Sequence, residues 1–230
     1  MRGLFVTGTD TGVGKTVLSA ALAAALAAAG EPVRTFKPVV TGLDDPAEAS
    51  GGWPADHVLL GLAAGMAPEE VSPLRFGPAV SPHLAAELAG QAIEPERLLA
   101  AVRASVQEGQ TLIAEGVGGL LVPLRADYSV RDFAVALGLP VLIAARPGLG
   151  TINHTLLTLQ AARGAGLEVR AVVLTPWPRE PTVLERSNRE TLARVGEVDV
   201  DTLSPIAGPE LSELARAGEQ LPWRRWLRLR

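Results

Sequence analysis

The sequence contains no cysteine. Disulfides, thiolate metal sites and a cysteine nucleophile are excluded on that ground. Lysine is almost as scarce: of 21 basic side chains 19 are arginine, and only Lys15 and Lys37 are lysine. Positive charge does not accumulate, since the formal net charge is −4, which argues against a broad nucleic-acid-binding face. The one basic cluster is the tail Pro222 to Arg230. It reads as a terminal helix whose tryptophans pack on the body, with a docking segment as the other reading. No secretory signal is read, because Asp10 and Lys15 interrupt the N-terminal apolar residues. The Ala-rich stretch Val17 to Ala29 is too short and too weakly apolar to span a bilayer, which needs about 20 residues. No membrane partner is expected, and the expected location is the cytoplasm. No repeat, low-complexity segment or linker breaks the 230 residues, so residues 1–230 are expected to form a single domain. His57, His83 and His154 show no metal-ligand spacing.

What is present is organised around Gly8-Thr9-Asp10-Thr11-Gly12-Val13-Gly14-Lys15-Thr16. The apolar run Leu4-Phe5-Val6 before it reads as a buried strand, and Val17 to Ala29 after it as a helix with Leu18, Leu22 and Leu26 on one face. A strand, a glycine-rich turn and a helix opening on Gly-Lys-Thr describe a phosphate-binding loop. Backbone N–H groups of the turn and the helix N-terminus point at an anion, which the helix dipole favours. Lys15 would reach the β- and γ-phosphates, and the Thr16 hydroxyl would face Mg²⁺. The generic spacing puts its first glycine at position 9, where Thr9 stands; Gly8 precedes it, so the loop is longer by one.

A compact ammonium and a planar guanidinium differ in size and donor geometry, so a tight phosphate site can demand lysine. Lys37 is therefore a suspect for the same site as Lys15. It lies near the end of a second expected strand, Val33 to Val40, and ligands of parallel sheets bind at the carboxyl ends of the strands. Gly42 to Pro54 reads as a mobile loop, and Asp56 as a helix start. Met66 to Ala79 reads as irregular; helices follow from Ser81-Pro82-His83 to Gly90 and from Pro95 to Glu108. Thr111 to Ala114 reads as a strand ending in the carboxylate Glu115, with the glycine-rich turn Gly116 to Gly119 behind it. A carboxylate there suits Mg²⁺, which binds through few carboxylates plus phosphate. Leu139 to Ala145 and Glu168 to Leu174 read as strands, Thr151 onward and Pro181 to Val195 as helices, and Gly196 to Leu203 as a weak strand. The expected fold is α/β and P-loop NTPase-like, a mainly parallel central sheet flanked by helices.

Three segments together resemble the dethiobiotin synthetase family: Phe5 to Thr16, Lys37-Pro38-Val39 with Thr41-Gly42, and Glu115-Gly116 with Gly118-Gly119. Ser81-Pro82-His83 and Leu149-Gly150-Thr151-Ile152-Asn153-His154 also resemble family segments in order and spacing, and the longer phosphate loop is the family's own form. The resemblance implies that diaminopelargonic acid, CO₂ (or bicarbonate) and ATP give dethiobiotin, ADP and phosphate, with Mg²⁺. An amine captures CO₂ as a carbamate, the carbamate attacks the γ-phosphate to give a mixed anhydride, and the second amine closes the ring. It implies Thr11, Lys15 and Lys37 as catalytic, and Thr16, Asp56 and Glu115 as the Mg²⁺ set. The nucleotide would lie against Gly12, Val13, Gly14, Lys15, Thr16, Val17, Asp56, Glu115, Gly116, Val117 and Gly118, with its base near Thr175-Pro176. The diamine would meet Thr11, Lys37, Thr41 and Gly118, and its carboxylate tail would meet Gly150, Thr151 and Asn153 of a second copy in a homodimer.

The chain departs from the family at two places. Gly12 stands where many members have an acid, which loosens the loop but removes no phosphate donor. Thr175 stands where the family often reads the base with an asparagine, and a hydroxyl lacks the paired donor and acceptor of an amide. The rival reading is a dimeric P-loop switch ATPase of the partition or metallochaperone type, which usually carries an extra lysine early in the loop; Thr9, Asp10 and Thr11 stand there. A related amidoligase would normally carry a glutaminase domain with a nucleophilic cysteine, which this chain lacks.

Overall fold

The structure is a computed structural model that describes residues 1–45 and 52–229. The chain enters through β1 (Arg2–Gly8), turns, and runs into α1 (Lys15–Ala28). It continues through β2 (Val33–Phe36), β3 (Val39–Val40), α2 (Asp56–Ala64), α3 (Pro68–Val71), β4 (Leu74–Arg75), α4 (Pro82–Leu88) and α5 (Pro95–Ser105). β5 (Thr111–Gly119), the short strands β6 (Pro123–Arg125) and β7 (Tyr128–Ser129), and α6 (Val130–Leu137) follow. The second half alternates regularly: β8 (Val141–Ala145), α7 (Thr151–Gly164), β9 (Val169–Leu174), α8 (Val183–Gly196), β10 (Val200–Thr202), α9 (Leu211–Glu219) and α10 (Trp223–Trp226).

Six strands form one sheet in the order β10-β9-β8-β1-β5-β2, and every pairing in it is parallel. β1 is central, so its side chains are buried on both faces in strict alternation. Phe5 packs with Leu98, Phe133, Leu159 and Leu192 on one side. Leu4 and Val6 pack with Leu18, Leu22, Leu59 and Trp223 on the other. A strand covered on both faces reads as a continuous apolar run, which is why Leu4-Phe5-Val6 shows no polar alternation.

The alanines of α1 serve close approach. Ala20 to Ala25 are all buried, and α9 crosses them with Gly218 at the contact: a Cβ added there would overlap Ala21 O and sit 2.9 Å from Ala25 Cβ. The C-terminal segment completes this layer, with Trp223 and Trp226 2% and 1% exposed. Its described arginines are engaged within the chain: Arg224 lies over the Trp223 ring, Arg225 pairs with Asp199 and Asp201, and Arg228 with Glu168. Of the two readings of the tail, packing on the body is the one observed.

Four expectations need correction. The strand expected over Val33 to Val40 is split, because Pro38 has no N–H to give a ladder and Lys37 N donates instead to Val71 O. Val39–Val40 therefore leaves the main sheet and pairs with Leu74–Arg75. The irregular stretch Met66 to Ala79 contains α3 and that partner strand. β5 does not end at Glu115 but continues to Gly119, with a bulge in its pairing between Val6 and Gly8 of β1. Residues 120–138, left without elements in the sequence, hold β6, β7 and α6, the last started by a capping box between Ser129 and Asp132. The loop expected over Gly42 to Pro54 falls in part on residues 46–51, which lie outside the described residues. No helix among the described residues is long and apolar enough to cross a membrane.

Candidate active site

The turn between β1 and α1 takes its shape from glycine. Gly12 and Gly14 have φ of 68° and 90°, in the region that side chains avoid. Gly14 is also the N-cap of α1, which has no side-chain cap and no acid in its first turn, so its leading N–H groups are left to face an anion. A Cβ at Gly14 would come within 2.9 Å of Thr175 Cγ2. Thr175 at the end of β9 is thus the wall of the loop, and Pro176 follows it through a cis peptide bond.

Both lysines converge here. Lys15 is buried and its Nζ donates to Asp10 O at 2.9 Å, while Asp10 Oδ1 accepts from Thr11 N at 2.7 Å. Burial and the nearby Lys37 lower Lys15 to about 8. Lys37, at the end of β2, extends its Nζ to within 2.5 Å of Glu115 Oε1 and 2.6 Å of Asp56 Oδ2. Burial alone would lower the Lys37 pKa, but Asp56 and Glu115 more than reverse that and hold it above the ordinary lysine range. Asp56 opens α2 with its side chain half exposed to the cleft; partial burial would raise its carboxyl, yet Lys37 keeps it below the usual range.

Glu115 is fully buried within β5, beside Val6 of β1. Its Oε1 accepts from Thr16 Oγ1 at 2.9 Å as well as from Lys37, while its Oε2 is buried with no hydrogen-bond partner. A buried oxygen without a donor is costly unless something positive meets it. Two carboxylates and a hydroxyl, one carboxylate oxygen still unused, form a hard-oxygen set of the kind a Mg²⁺ ion takes while keeping several waters. The residues present fit that ion. No group of three or more His, Cys, Asp or Glu gathers as a metal cage among the described residues.

A cleft of about 930 Å³ opens over these groups. Thr11, Gly12, Gly14, Lys15, Thr16, Val17, Lys37, Thr41, Asp56, Val117 and Gly118 line it. Val13, Glu115 and Gly116 lie in the same segments but beneath the surface of the cleft, and Thr175 and Pro176 stand behind Gly14. Gly150, Thr151 and Asn153 are not in the cleft of their own chain; they form the start of α7, next to Leu149, which is 92% exposed.

Several lining residues escaped the sequence reading. Trp53, Val80 and Val122 wall the cleft, together with Ser81 and Pro82 of a segment noted only for its resemblance, and Val122 Cγ2 would meet a Cβ on Gly118 at 2.8 Å. An apolar residue in a turn carries no chemical signature, so Val122 had no signal to find. Arg146 donates to Gly12 O at 3.2 Å and links the end of β8 to the phosphate loop. The buried Asn188 of α8 donates to Pro147 O at 2.9 Å and Gly148 O at 3.1 Å, fixing the loop before α7.

The comparisons with known proteins agree with this arrangement. A family model described as "AAA domain" matches residues 2–204. A curated relative, "ATP-dependent dethiobiotin synthetase BioD" of Anaeromyxobacter sp. (strain Fw109-5), is 42% identical over 209 residues, covering 86% of this chain and 91% of the relative. Proteins of the same description from Mycobacterium sp. (strain KMS) and Mycobacterium avium (strain 104) are each 40% identical, covering 94% and 97% of this chain and 96% and 97% of their own. Among solved structures, the MinC:MinD cell division complex of Aquifex aeolicus matches with a TM-score of 0.55 at 15% identity, covering 95% of this chain and 87% of that one. That likeness is one of fold. Identity of 40% or more along nearly the whole chain goes further, and with it the chain belongs to the dethiobiotin synthetase family.

Proposed function

We propose that this protein makes dethiobiotin from diaminopelargonic acid, CO₂ and ATP, releasing ADP and phosphate, and does so as one domain in the cytoplasm. The observation that carries the reading is that the only two lysines of the chain come to one phosphate loop, Lys15 on Asp10 O and Lys37 on Asp56 and the Thr16-bonded Glu115. A carbamate approaching a triphosphate brings anion to anion, and cations must bridge them. Lys15 lies within its phosphate loop and would hold the β- and γ-phosphates. Lys37 reaches the floor of the same cleft and would neutralise the carbamate as it attacks the γ-phosphorus. Thr11 and Thr41 line the cleft on either side and would orient the diamine, with Gly118 leaving room for it. Val80, Pro82, Val117 and Val122 offer apolar walls suited to the aliphatic chain. Mg²⁺, held by Thr16, Asp56 and Glu115, would neutralise charge on the transferring phosphoryl group.

The carboxylate tail of the substrate would be received by Gly150, Thr151 and Asn153 of a second copy, where the N-terminus of the 14-residue α7 favours an anion. Leu149, Leu157, Val183 and Leu184, all exposed on that loop and on α7 and α8, support a homodimer face.

The test is phosphate release from ATP, Mg²⁺ and bicarbonate with and without diaminopelargonic acid, with dethiobiotin followed by mass spectrometry. Turnover should depend on the diamine and fall by about 10²–10³ in Lys37→Gln, the usual cost of one charge-stabilising contact. Turnover indifferent to the diamine would overturn the reading and point to a switch ATPase.

A further inference from the structure

Lys37 stands where the two carboxylates of the cleft converge. Its Nζ is within 2.6 Å of both, its side chain is 4% exposed, and Glu115 beside it is wholly buried. Lys15 is likewise turned onto its own loop, on Asp10 O. We propose that in the nucleotide-free protein the Lys37 ammonium is a stand-in cation, closing the Asp56–Glu115 pair to a free divalent ion and yielding it only to one that comes with nucleotide phosphates. This rests on reading Thr16, Asp56 and Glu115 as the metal-holding set.

Like charge is the reason for the exclusion. A divalent ion entering between Asp56, which is 43% exposed to the cleft, and the buried Glu115 would meet the buried ammonium within a few ångströms, and at the Glu115 end water and salt screen poorly. Phosphates change the balance. Their negative charge gives the ammonium another partner, and the flexible four-carbon stem of lysine lets Nζ swing toward it. Both carboxylates, and the partnerless Oε2 of Glu115, are then free to turn to a metal. The cation that would serve the second substrate is thus released only when nucleotide phosphates and a metal ion are both in place.

A chain with two lysines allows a direct test, because ¹³Cε-lysine labelling yields two side-chain signals, assigned with Lys15→Arg. ADP with chelator should move the Lys15 signal, and Mg²⁺ added to that complex should then move Lys37, while Mg²⁺ alone moves neither. In parallel, Mn²⁺ binding to nucleotide-free protein, read by electron paramagnetic resonance, should tighten at least about tenfold in Lys37→Met. A Lys37 signal that stays in place when metal joins the ADP complex would overturn the proposal. So would wild-type protein that binds Mn²⁺ as tightly as Lys37→Met. Neither measurement uses the diamine, so failure of the synthetase reading, seen in diamine-independent turnover, is scored separately. The labelling experiment stands even where the variant does not fold.

Discussion

Lys15 is held at a cost to the folded chain. Burial and Lys37 lower it to about 8 from an ordinary 10.5, so between those values the unfolded chain binds more protons than the folded one. Stability of the nucleotide-free protein should therefore rise as pH goes from 8 toward 10.5 and be flat in this contribution below 8. Lys37 works in the opposite sense. Its pKa is raised by its carboxylate partners, so its contribution is intact up to 10.5 and lost only above. Urea titrations at pH 7.5 and 10 check the first sign. Lys15→Met, which removes the desolvated charge, should stabilise the nucleotide-free protein by on the order of 2 kcal/mol and abolish the pH slope, while eliminating nucleotide binding. A variant less stable than wild type at pH 7.5 would show that Lys15 is not strained. The scarcity of lysine pointed to both residues before any coordinates, since chemistry that separates ammonium from guanidinium leaves a mark in composition. Glu115 was also legible, but its depth was not: a carboxylate at a strand end and one buried inside a longer strand look the same in sequence.

At the scale of elements, the crossing of α1 and α9 is the most sensitive contact, because backbone meets backbone. Gly218→Ala should cost about 1–3 kcal/mol by forcing the helices apart, since its Cβ would overlap Ala21 O. Gly164→Ala, in the last turn of α7 with open space around it, should instead stabilise by about 0.5–1 kcal/mol. Thermal unfolding of the two variants gives shifts of opposite sign. Elements that were legible had strong internal signals: the glycine turn of the phosphate loop, the leucine spacing of α1, the apolar runs of β8 and β9. Those that were not owe their form to partners far away in sequence. β3 exists as a separate strand because Leu74–Arg75 lies beside it, whereas β10, within the weak strand expected over Gly196 to Leu203, is fixed by the edge that β9 offers. The Ser129–Asp132 capping box was a local signal for α6 that the sequence reading passed over.

For the whole molecule, the proposed dimer makes a distinctive prediction. Lys37→Gln and Asn153→Ala should each be nearly inactive alone, yet mixing after dissociation should restore up to about a quarter of full activity, as expected when symmetric sites are shared between copies. No recovery would place Asn153 in the same half-site as Lys37 or outside the reaction. The proposed role of Gly150 to Asn153 rests on resemblance alone, because one chain does not bring them to its own cleft.

The crossing of α1 by α9 and the tryptophans of α10 reaches into synthesis. The phosphate loop and α1 lie at residues 8–28, yet that helix is covered by residues 211–227, which follow it far along the chain. Until they emerge, the inner face of α1 has no cover on that side and its N-terminus has no fixed seat. A chain made from its N-terminus therefore carries the nucleotide-binding sequence before the apolar layer behind it is complete, and in that interval the open face of α1 is a surface prone to aggregation.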